Sequence, residues 1–292
     1  MIDTLLKIEI GIDPTLIEVV GLEVTWHGVF TAIGVIVGVA ISAWLARRMG
    51  YPEDMIYNVA LALVIGGIIG ARGLYVIENW SRFEDDIGEI FSLNAGGISI
   101  YGALIGGAVG GWGYALFTKV PNIPRAADIA AIGGIMGMAI GRIGDIINGE
   151  HFARSTDLPW GVIYTDPQSP GYPLRLQAQH PAVGYELIGD LVIFVALLFI
   201  YFRVPRAGVT FFSWVLLYGV LRFAVSFLRL DDEILLGLRT AQVIALAAMP
   251  LGLGGIIYLL RTPPAEERSG RSRRRRIVRE EAPATPEEPT AG

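Results

Sequence analysis

Residues 126–150 read AADIAAIGGIMGMAIGRIGDIINGE, an apolar run that ends in charged and polar groups. A helix needs about 20 predominantly apolar residues to cross ~30 Å of hydrocarbon, and residues 126–147 meet that requirement. A guanidinium at membrane depth costs between about 3 and about 17 kcal/mol, so Arg142 needs an anionic partner. A lipid phosphate is a natural candidate. This stretch predicts a membrane helix that ends in a polar site.

The rest of the chain has the composition of a polytopic membrane protein. Of its 292 residues, 53% are hydrophobic and 37 are glycine, and the mean hydropathy of +0.52 exceeds that of ordinary soluble domains. We predict an all-α membrane protein, a bundle of seven transmembrane helices, with spans at about 26–46, 55–78, 97–118, 126–147, 182–202, 208–228 and 238–260. Residues 148–181, between the fourth and fifth spans, are expected to form a small extracytoplasmic cap with a short strand over 158–164.

Basic residues are distributed unevenly between the two sets of loops. Of the 23 basic residues, 14 fall on one set of loops and the C-terminal tail, 6 on the other set, and 3 within spans. Because cytoplasmic loops carry the excess of Lys and Arg, we predict that the N-terminus lies outside and the C-terminus in the cytoplasm.

The two ends differ in composition from the predicted membrane domain, residues 26–262. Residues 1–25 mix Asp3, Glu9, Asp13 and Glu18 into apolar positions, which does not fit a cleavable signal peptide and indicates an interfacial arm on the outer side. Residues 263–292 are rich in Pro, Glu, Ala and Thr, which predicts a disordered cytoplasmic tail. The basic cluster at 271–276 is read as a topology signal in preference to a headgroup-binding, regulatory element.

Several functional classes are excluded by composition. The chain has no cysteine, so it has no disulfide, no thiolate metal site and no thiol nucleophile of its own. A net charge of −5 gives no case for a nucleic-acid partner. The three histidines, His27, His151 and His180, fit no metal-ligand spacing, so neither a metal nor a cofactor is expected.

Glycines recur four residues apart in several predicted spans. They occur at Gly34 and Gly38, Gly66 and Gly70, Gly102 and Gly106, and Gly133, Gly137 and Gly141. Small residues at this spacing let helix backbones approach closely in lipid, so the pattern predicts packing faces and not a phosphate-binding loop.

Ionisable groups inside the spans gather toward their outer ends. Arg72, Arg142 and Arg222 lie on three different spans and are predicted to converge on one site. The alternative is that each arginine is paired with an acid, such as Glu78, Asp145 or Glu186, only to hold helices together. The other candidates at this level are Tyr75, which shares a helix face with Arg72, Tyr218 and Ser226, which flank Arg222 at intervals of four, Asn148 and Glu150 after Arg142, and His180, Tyr185 and Glu186 at the start of the fifth span. For Tyr75, interfacial anchoring is an alternative explanation.

The motif Gly-Arg-Ile-Gly-Asp-Ile-Ile-Asn-Gly-Glu at 141–150 resembles the signature of the bacterial prolipoprotein diacylglyceryl transferase family. The resemblance covers nearly the whole predicted membrane domain. It includes Trp26-His-Gly28, Gly70-Ala-Arg72, Gly96 to Gly106, Thr156 to Gly161, His180-Pro181 with Tyr185-Glu186, Tyr218-Gly219 with Arg222-Phe223, and Gln242.

This resemblance implies an inner-membrane enzyme that transfers the diacylglyceryl group of phosphatidylglycerol to the lipobox cysteine of a prolipoprotein signal peptide. The product is a thioether, glycerol phosphate leaves, and membrane lipids surround the enzyme. The implied catalytic residues are Arg142, Arg222, Glu150 and Tyr101, and the implied substrate-binding residues are Arg142, Asp145, Asn148, Arg72, Tyr75, His180, Tyr185, Glu186, Tyr218, Ser226 and His27. The phenol of Tyr101, with an ordinary pKa of about 10, is a poor base at neutral pH.

The sequence departs from the usual family pattern at four places, one of which is a dipeptide. Asp145 stands where Asn is usual, Ser226 where Glu is usual, His27 where Tyr is common, and Val183-Gly184 where Gln-Leu is usual. One carboxylate is gained at position 145 and one is lost at position 226, so we hypothesise that these two changes compensate at one lipid site. Two alternatives remain: a related transferase with another donor or acceptor, and a non-catalytic lipid-binding paralogue. A transporter is disfavoured because no internal repeat or midplane pair of broken helices is visible.

Overall fold

A computed structural model of the chain describes residues 7–19, 22–84, 86–91, 97 and 99–262. Its α-helices are α1 (Trp26–Arg48), α2 (Glu53–Glu78), α3 (Trp80–Phe83), α4 (Ile100–Phe117), α5 (Ile123–Asn148), α6 (Ala182–Arg203), α7 (Val209–Ser226) and α8 (Thr240–Arg261). Its strands are β1 (Ile8–Ile10), β2 (Thr15–Val19), β3 (Leu22–Thr25), β4 (Val162–Tyr164), β5 (Glu233–Leu235) and β6 (Leu238–Arg239). The predicted tail, residues 263–292, lies outside the described residues.

Among the described residues, six helices are long and apolar enough to cross a membrane. They are Trp26–Arg48, Asp54–Glu78, Ile123–Asn148, Ala182–Arg203, Val209–Ser226 and Thr240–Arg261. The remaining predicted span corresponds to α4, an 18-residue helix. The chain is therefore a mostly helical membrane protein, and a seventh span remains a prediction.

Glycine faces join the helices in pairs. Gly38 of α1 faces α5 so closely that a Cβ at this position would lie 2.7 Å from the carbonyl oxygen of Gly133. Gly106 of α4 faces α2 in the same way, with a Cβ falling 2.7 Å from the Cα of Gly70. Real Cβ atoms do not approach backbone this closely, so these contacts require glycine. The predicted packing role is confirmed for these pairs.

The last close glycine contact between α1 and α5 is made by Gly144, three residues beyond the last glycine of the predicted repeat. Gly141 faces only Thr31 Oγ1, at 4.0 Å from a built Cβ. Gly144 instead takes the close contact, because a Cβ there would lie 2.7 Å from the Cα of His27. The start of α1 is thereby brought against the last turns of α5.

One end of the bundle carries short strands, of which the sequence predicted only the one in residues 158–164. β1 pairs in parallel with β4, with Ile8 opposite Val162 and Ile10 opposite Tyr164. β2 and β3 form an antiparallel hairpin directly before α1. We call this end the cap end. The predicted strand is present at 162–164, but its pairing partner lies in the N-terminal segment, which had been interpreted only as an interfacial arm.

The opposite end is fixed by a buried ion pair at the start of α5. Asp128 accepts hydrogen bonds from the backbone N–H groups of Gly208 and Phe211, both at 2.8 Å. Arg125 donates to the Pro205 carbonyl at 2.7 Å and lies 3.4 Å from Asp128. These bonds satisfy the free N–H groups at the start of α7 and hold the α6–α7 connection on α5.

Candidate active site

Glu186 is the centre of a cluster of charges at the cap end. It lies in the second turn of α6 and is 1% exposed. Its Oε2 is 3.0 Å from Nη1 of Arg142 on α5, and its Oε1 accepts a hydrogen bond from Nη1 of Arg222 on α7. Two arginines from different helices thus share one buried carboxylate, which satisfies the requirement for a partner at membrane depth.

The two arginines keep part of their side chains accessible. The side chain of Arg142 is 14% exposed and that of Arg222 is 22% exposed, whereas Glu186 is closed to solvent. A guanidinium presents five N–H donors in a planar fork, and the pair with Glu186 uses only some of them. The arrangement therefore holds two cations side by side with donors left for another anion.

Asp145 joins Arg142 to the start of α1. Its Oδ2 accepts from Nη1 of Arg142 at 3.2 Å, one turn earlier on α5, and its Oδ1 lies 2.5 Å from Nδ1 of His27. The position of His27 follows from local structure, because the Thr25 hydroxyl caps α1 by accepting from the Gly28 N–H at 3.2 Å. The hypothesis that Asp145 is balanced by Ser226 gains no support, since its described partners are His27, His151 and Arg142.

Asn148 and Glu150 continue the site beyond the end of α5. The Asn148 side-chain oxygen accepts from the His27 backbone N–H at 3.3 Å, and its amide donates to Glu150 Oε1 at 2.6 Å. Gly149 ends the helix with a φ of +75°, a conformation that glycine adopts without strain. The signature motif therefore places its Arg, Asp, Asn and Glu side chains at one end of the bundle.

Three further groups belong to the cluster and were not among the predicted site residues. Asp190 on α6 is fully buried, with Oδ2 at 3.8 Å from Nε of Arg142. Arg229, after α7, lies 3.8 Å from Glu186 Oε2 and pairs with Asp231 at 2.9 Å. His151 accepts from Arg229 at 3.0 Å. Asp190 follows Glu186 by four residues, one helical turn. This spacing could have predicted that both acids face the same site.

Tyr218 and Ser226 flank Arg222 on α7 as predicted, with different roles. Tyr218 stacks on Trp214 with ring centroids 6.3 Å apart and lies within electrostatic range of both Arg142 and Arg222. The Ser226 hydroxyl is buried and donates to the Arg222 carbonyl at 2.7 Å. Ser226 thus satisfies the backbone of its own helix.

Arg72 and Tyr75 have a different set of contacts. Arg72 donates to the backbone carbonyls of Ile90, Gly97 and Glu89 at 2.8, 2.9 and 2.7 Å. Its guanidinium also lies 5.7 Å from the ring centre of Tyr75. These bonds tie α2 to the connection that precedes α4. The predicted convergence of three arginines is thus seen for Arg142 and Arg222, which share Glu186. The side chain of Tyr101 lies outside the described residues.

His180 and Tyr185 hold the cap segment on the start of α6. Nε1 of Trp160 donates to the Tyr185 hydroxyl at 2.8 Å, and Nδ1 of His180 lies 3.4 Å from the same oxygen. Since Glu186 follows Tyr185 directly, this contact fixes the cap segment immediately beside the buried carboxylate.

Tyr164 of β4 also lies close to the end of α5, but its phenol is not a base. Burial raises the pKa of the Tyr164 phenol to about 12, and Asp145 adds to the increase. Its hydroxyl donates to the Ile146 carbonyl at 2.9 Å. The phenol is therefore neutral at physiological pH and holds β4 on the end of α5.

A cleft of ≈ 610 Å³ opens at the cap end beside Asn148 and Glu150. It is lined by Asp13, Pro14, Thr15, Glu18, Glu23, Thr25, Asn148, Glu150, Gln168 and Pro170. Its charged lining groups are all carboxylates, which disfavour an anion. The cationic and anionic parts of this end are thus separate, with the arginines deeper in the bundle.

No group of three or more His, Cys, Asp or Glu residues in the part of the chain that the structure describes has the arrangement of a metal site. The expectation that the protein needs no metal or cofactor stays a prediction.

Comparison with known proteins identifies a family that matches most of the chain. A family model described as prolipoprotein diacylglyceryl transferase matches residues 14–258. A phosphatidylglycerol–prolipoprotein diacylglyceryl transferase of Nostoc sp. is 35% identical over 254 residues, which cover 84% of this chain and 89% of the relative. Proteins of the same name from Clostridioides difficile and Gloeobacter violaceus are 35% and 34% identical, covering 82% and 87% of this chain and 92% and 95% of the relatives.

Proposed function

The chain belongs to the prolipoprotein diacylglyceryl transferase family, and we propose from this premise how its charge cluster performs the reaction. The protein is an enzyme that transfers the diacylglyceryl group of phosphatidylglycerol to prolipoproteins. Our proposal concerns the acceptor atom, the residues that bind each substrate, and the side of the membrane on which they meet.

The acceptor in this proposal is the thiol of the lipobox cysteine. Its sulfur attacks the glyceryl carbon that is bonded to the phosphate oxygen, the carbon–oxygen bond breaks, and glycerol phosphate leaves with the bonding electrons. A carbon–sulfur bond replaces the carbon–oxygen bond, and the thiol proton must be taken up by a base. The enzyme therefore has to stabilise a phosphate leaving group and ionise a thiol.

Arg142 and Arg222 bind the phosphate in this proposal. The observation that carries it is their shared contact with Glu186, which holds two part-exposed guanidiniums side by side at the end of three helices. Planar guanidinium forks match phosphate oxygens and become more favourable as charge develops on the leaving group. Asp190 and Arg229 complete the charge balance around them.

The remaining predicted residues are assigned to the two substrates. Asn148 and Glu150 line the cleft beside the charge cluster and are assigned to the acceptor peptide, together with His180 of the cap and Tyr185 at the start of α6. Arg72 and Tyr75, with Tyr218, are assigned to the lipid donor by the family resemblance. The family resemblance also assigns Tyr101 to the catalytic residues, near the reacting atoms.

We place the site at the outer face of a bacterial inner membrane, with seven spans, an outside N-terminus, a cytoplasmic C-terminus and an extracytoplasmic cap. The distribution of basic residues supports this orientation. The cap end carries the reactive cluster, so phosphatidylglycerol would enter sideways from the outer leaflet and the prolipoprotein from the aqueous side.

A related transferase with another lipid headgroup is the second candidate, because Asp145 lies 3.2 Å from Arg142 and competes with phosphate for it. The two candidates are separated by supplying the purified protein with liposomes of phosphatidylglycerol or of other phospholipids and a lipobox peptide. We expect the peptide to gain the mass of a diacylglyceryl group from phosphatidylglycerol, and a peptide with serine in place of cysteine to gain none. Transfer from another headgroup alone would favour the second candidate.

A further inference from the structure

The thiol proton needs a base, and two of the departures from the family pattern lie in contact with each other. His27 and Asp145 are 2.5 Å apart, through Nδ1 and Oδ1. We propose, on the basis of the proposed function, that the His27 imidazole, positioned by Asp145, is the general base that accepts the proton of the acceptor thiol.

The geometry of this pair is that of a base with an orienting carboxylate. A hydrogen bond to one ring nitrogen sets the tautomer, so a proton on Nδ1 shared with Asp145 leaves Nε2 as the proton acceptor. Among the described contacts, those of the His27 ring involve Nδ1 alone. The Asp145 side chain is 8% exposed whereas that of His27 is 45% exposed, so the carboxylate is shielded and the imidazole is accessible to a substrate.

Asp145 also places this base next to the leaving group. Its other oxygen binds Arg142, which we assign to the phosphate. One carboxylate thus orients both the group that takes the thiol proton and the group that receives the phosphate charge. Among the described residues, Asp145, Glu150 and Arg142 are the charged groups that act on the His27 ring, and His151 approaches the same Asp145 from the segment after α5.

The other described candidates are engaged elsewhere. Nδ1 of His151 accepts from Arg229 at 3.0 Å, so the neutral ring carries its proton on Nε2, 3.6 Å from Asp145, and has no free lone pair for another proton. Nδ1 of His180 lies 3.4 Å from the Tyr185 hydroxyl, and its described contacts include no carboxylate that would orient the ring and stabilise an imidazolium. Tyr164 is bonded to the Ile146 carbonyl and its pKa is about 12.

The step balances with the groups named. The S–H bond breaks and its proton goes to Nε2 of His27, while the sulfur forms a bond to the glyceryl carbon. The carbon–oxygen bond breaks and glycerol phosphate leaves. The imidazolium, stabilised by Asp145, then releases its proton to the departing phosphate or to water.

A lipobox peptide with selenocysteine in place of cysteine distinguishes a general base from any other role of His27. Its selenol is already ionised at neutral pH, so transfer to it needs no base. We expect His27→Asn to lower the rate with a cysteine lipobox peptide by about 10²–10⁴-fold, the usual contribution of a general base. The Asn amide can still donate to Asp145. The same variant should be within about 10-fold of wild type on the selenocysteine peptide, since no base is then required.

Two matched variants complete the test. Arg222→Ala should lose transfer to both peptides, and His151→Asn should change the rate by similar factors on both, because neither residue takes the proton. An equal loss on both peptides in His27→Asn, repeated in His27→Gln, or full activity on cysteine, would overturn the proposal. Wild-type protein that transfers nothing to either peptide would instead contradict the proposed function itself.

Discussion

At the scale of single residues, Glu186 determines how the site is built. It is 1% exposed and is the shared partner of Arg142 and Arg222, with Arg229 within 3.8 Å. Removing one partner of a buried ion pair leaves the opposite charge uncompensated. The cluster is therefore expected to be far more sensitive to the loss of Glu186 than to the loss of an exposed acid.

We predict that Glu186→Gln lowers the free energy of unfolding by about 3–5 kcal/mol, because two guanidiniums lose their shared carboxylate. The measurement is denaturant unfolding of the purified protein in detergent. Glu84→Gln, at an exposed position after α3, is the control and should change stability by less than about 0.5 kcal/mol. Equal stability of Glu186→Gln and wild type would show that the arginines find other partners.

At the residue level, the sequence indicated which residue types gather at the outer ends of the helices, but it did not indicate all of their contacts. Arg72, Arg142 and Arg222 were predicted to converge. Arg142 and Arg222 do so through Glu186, whereas Arg72 donates to backbone carbonyls before α4. The contact of Asp145 with His27 was not predicted, and the compensation between Asp145 and Ser226 stays a prediction. A sequence shows which residues share one helix face, but the contact between α1 and α5 depends on the relative position of two helices, which no spacing within one segment records.

At the scale of elements, the close approach of α1 and α5 carries the site. Gly133 and Gly134 are neighbours on α5 with opposite surroundings. A Cβ at Gly133 would meet the Gly38 carbonyl of α1, whereas one at Gly134 has nothing within 4 Å. The position of His27 against Asp145 depends on the same packing face, since Gly144 touches the His27 backbone.

We predict that Gly133→Ala separates α1 from α5, lowers the melting temperature and reduces transfer, because the added methyl group cannot fit against backbone. Gly134→Ala should be neutral or stabilising, by up to about 1 kcal/mol, since alanine favours a helix over glycine. Thermal unfolding and transfer rates of both variants measure this. Indistinguishable variants would mean that the two helices tolerate a wider separation.

The ends of the helices were predicted to within a few residues where a long apolar stretch defines the helix. The spans predicted at 26–46 and 182–202 correspond to α1, which ends at Arg48, and α6, which ends at Arg203. The parallel pairing of β1 with β4 was missed. It joins segments more than 150 residues apart in the chain, and short strands of three residues have too little periodicity to predict a partner.

At the scale of the whole molecule, the orientation in the membrane follows from charge. We predict that an introduced cysteine at Asp157, in the cap segment, reacts with an impermeant thiol reagent in intact cells, while one at Met49, after α1, reacts only after the membrane is opened. The chain has no cysteine of its own, so the purified wild-type chain should carry no label. Labelling at position 49 from outside would reverse the orientation.

The central claim is that this cluster transfers a diacylglyceryl group by cleaving the bond between the glyceryl carbon and its phosphate oxygen. The most direct measurement supplies phosphatidylglycerol carrying ¹⁸O at that oxygen and analyses both products by mass spectrometry. We predict that all of the label leaves in glycerol phosphate and that the peptide gains a thioether resistant to hydroxylamine. Arg142→Ala and Arg222→Ala should form neither product, and lysine at either position should recover little, since a point charge does not replace a planar fork. Label retained in the peptide, a hydroxylamine-sensitive acyl product, or wild-type rates in either alanine variant would contradict the account.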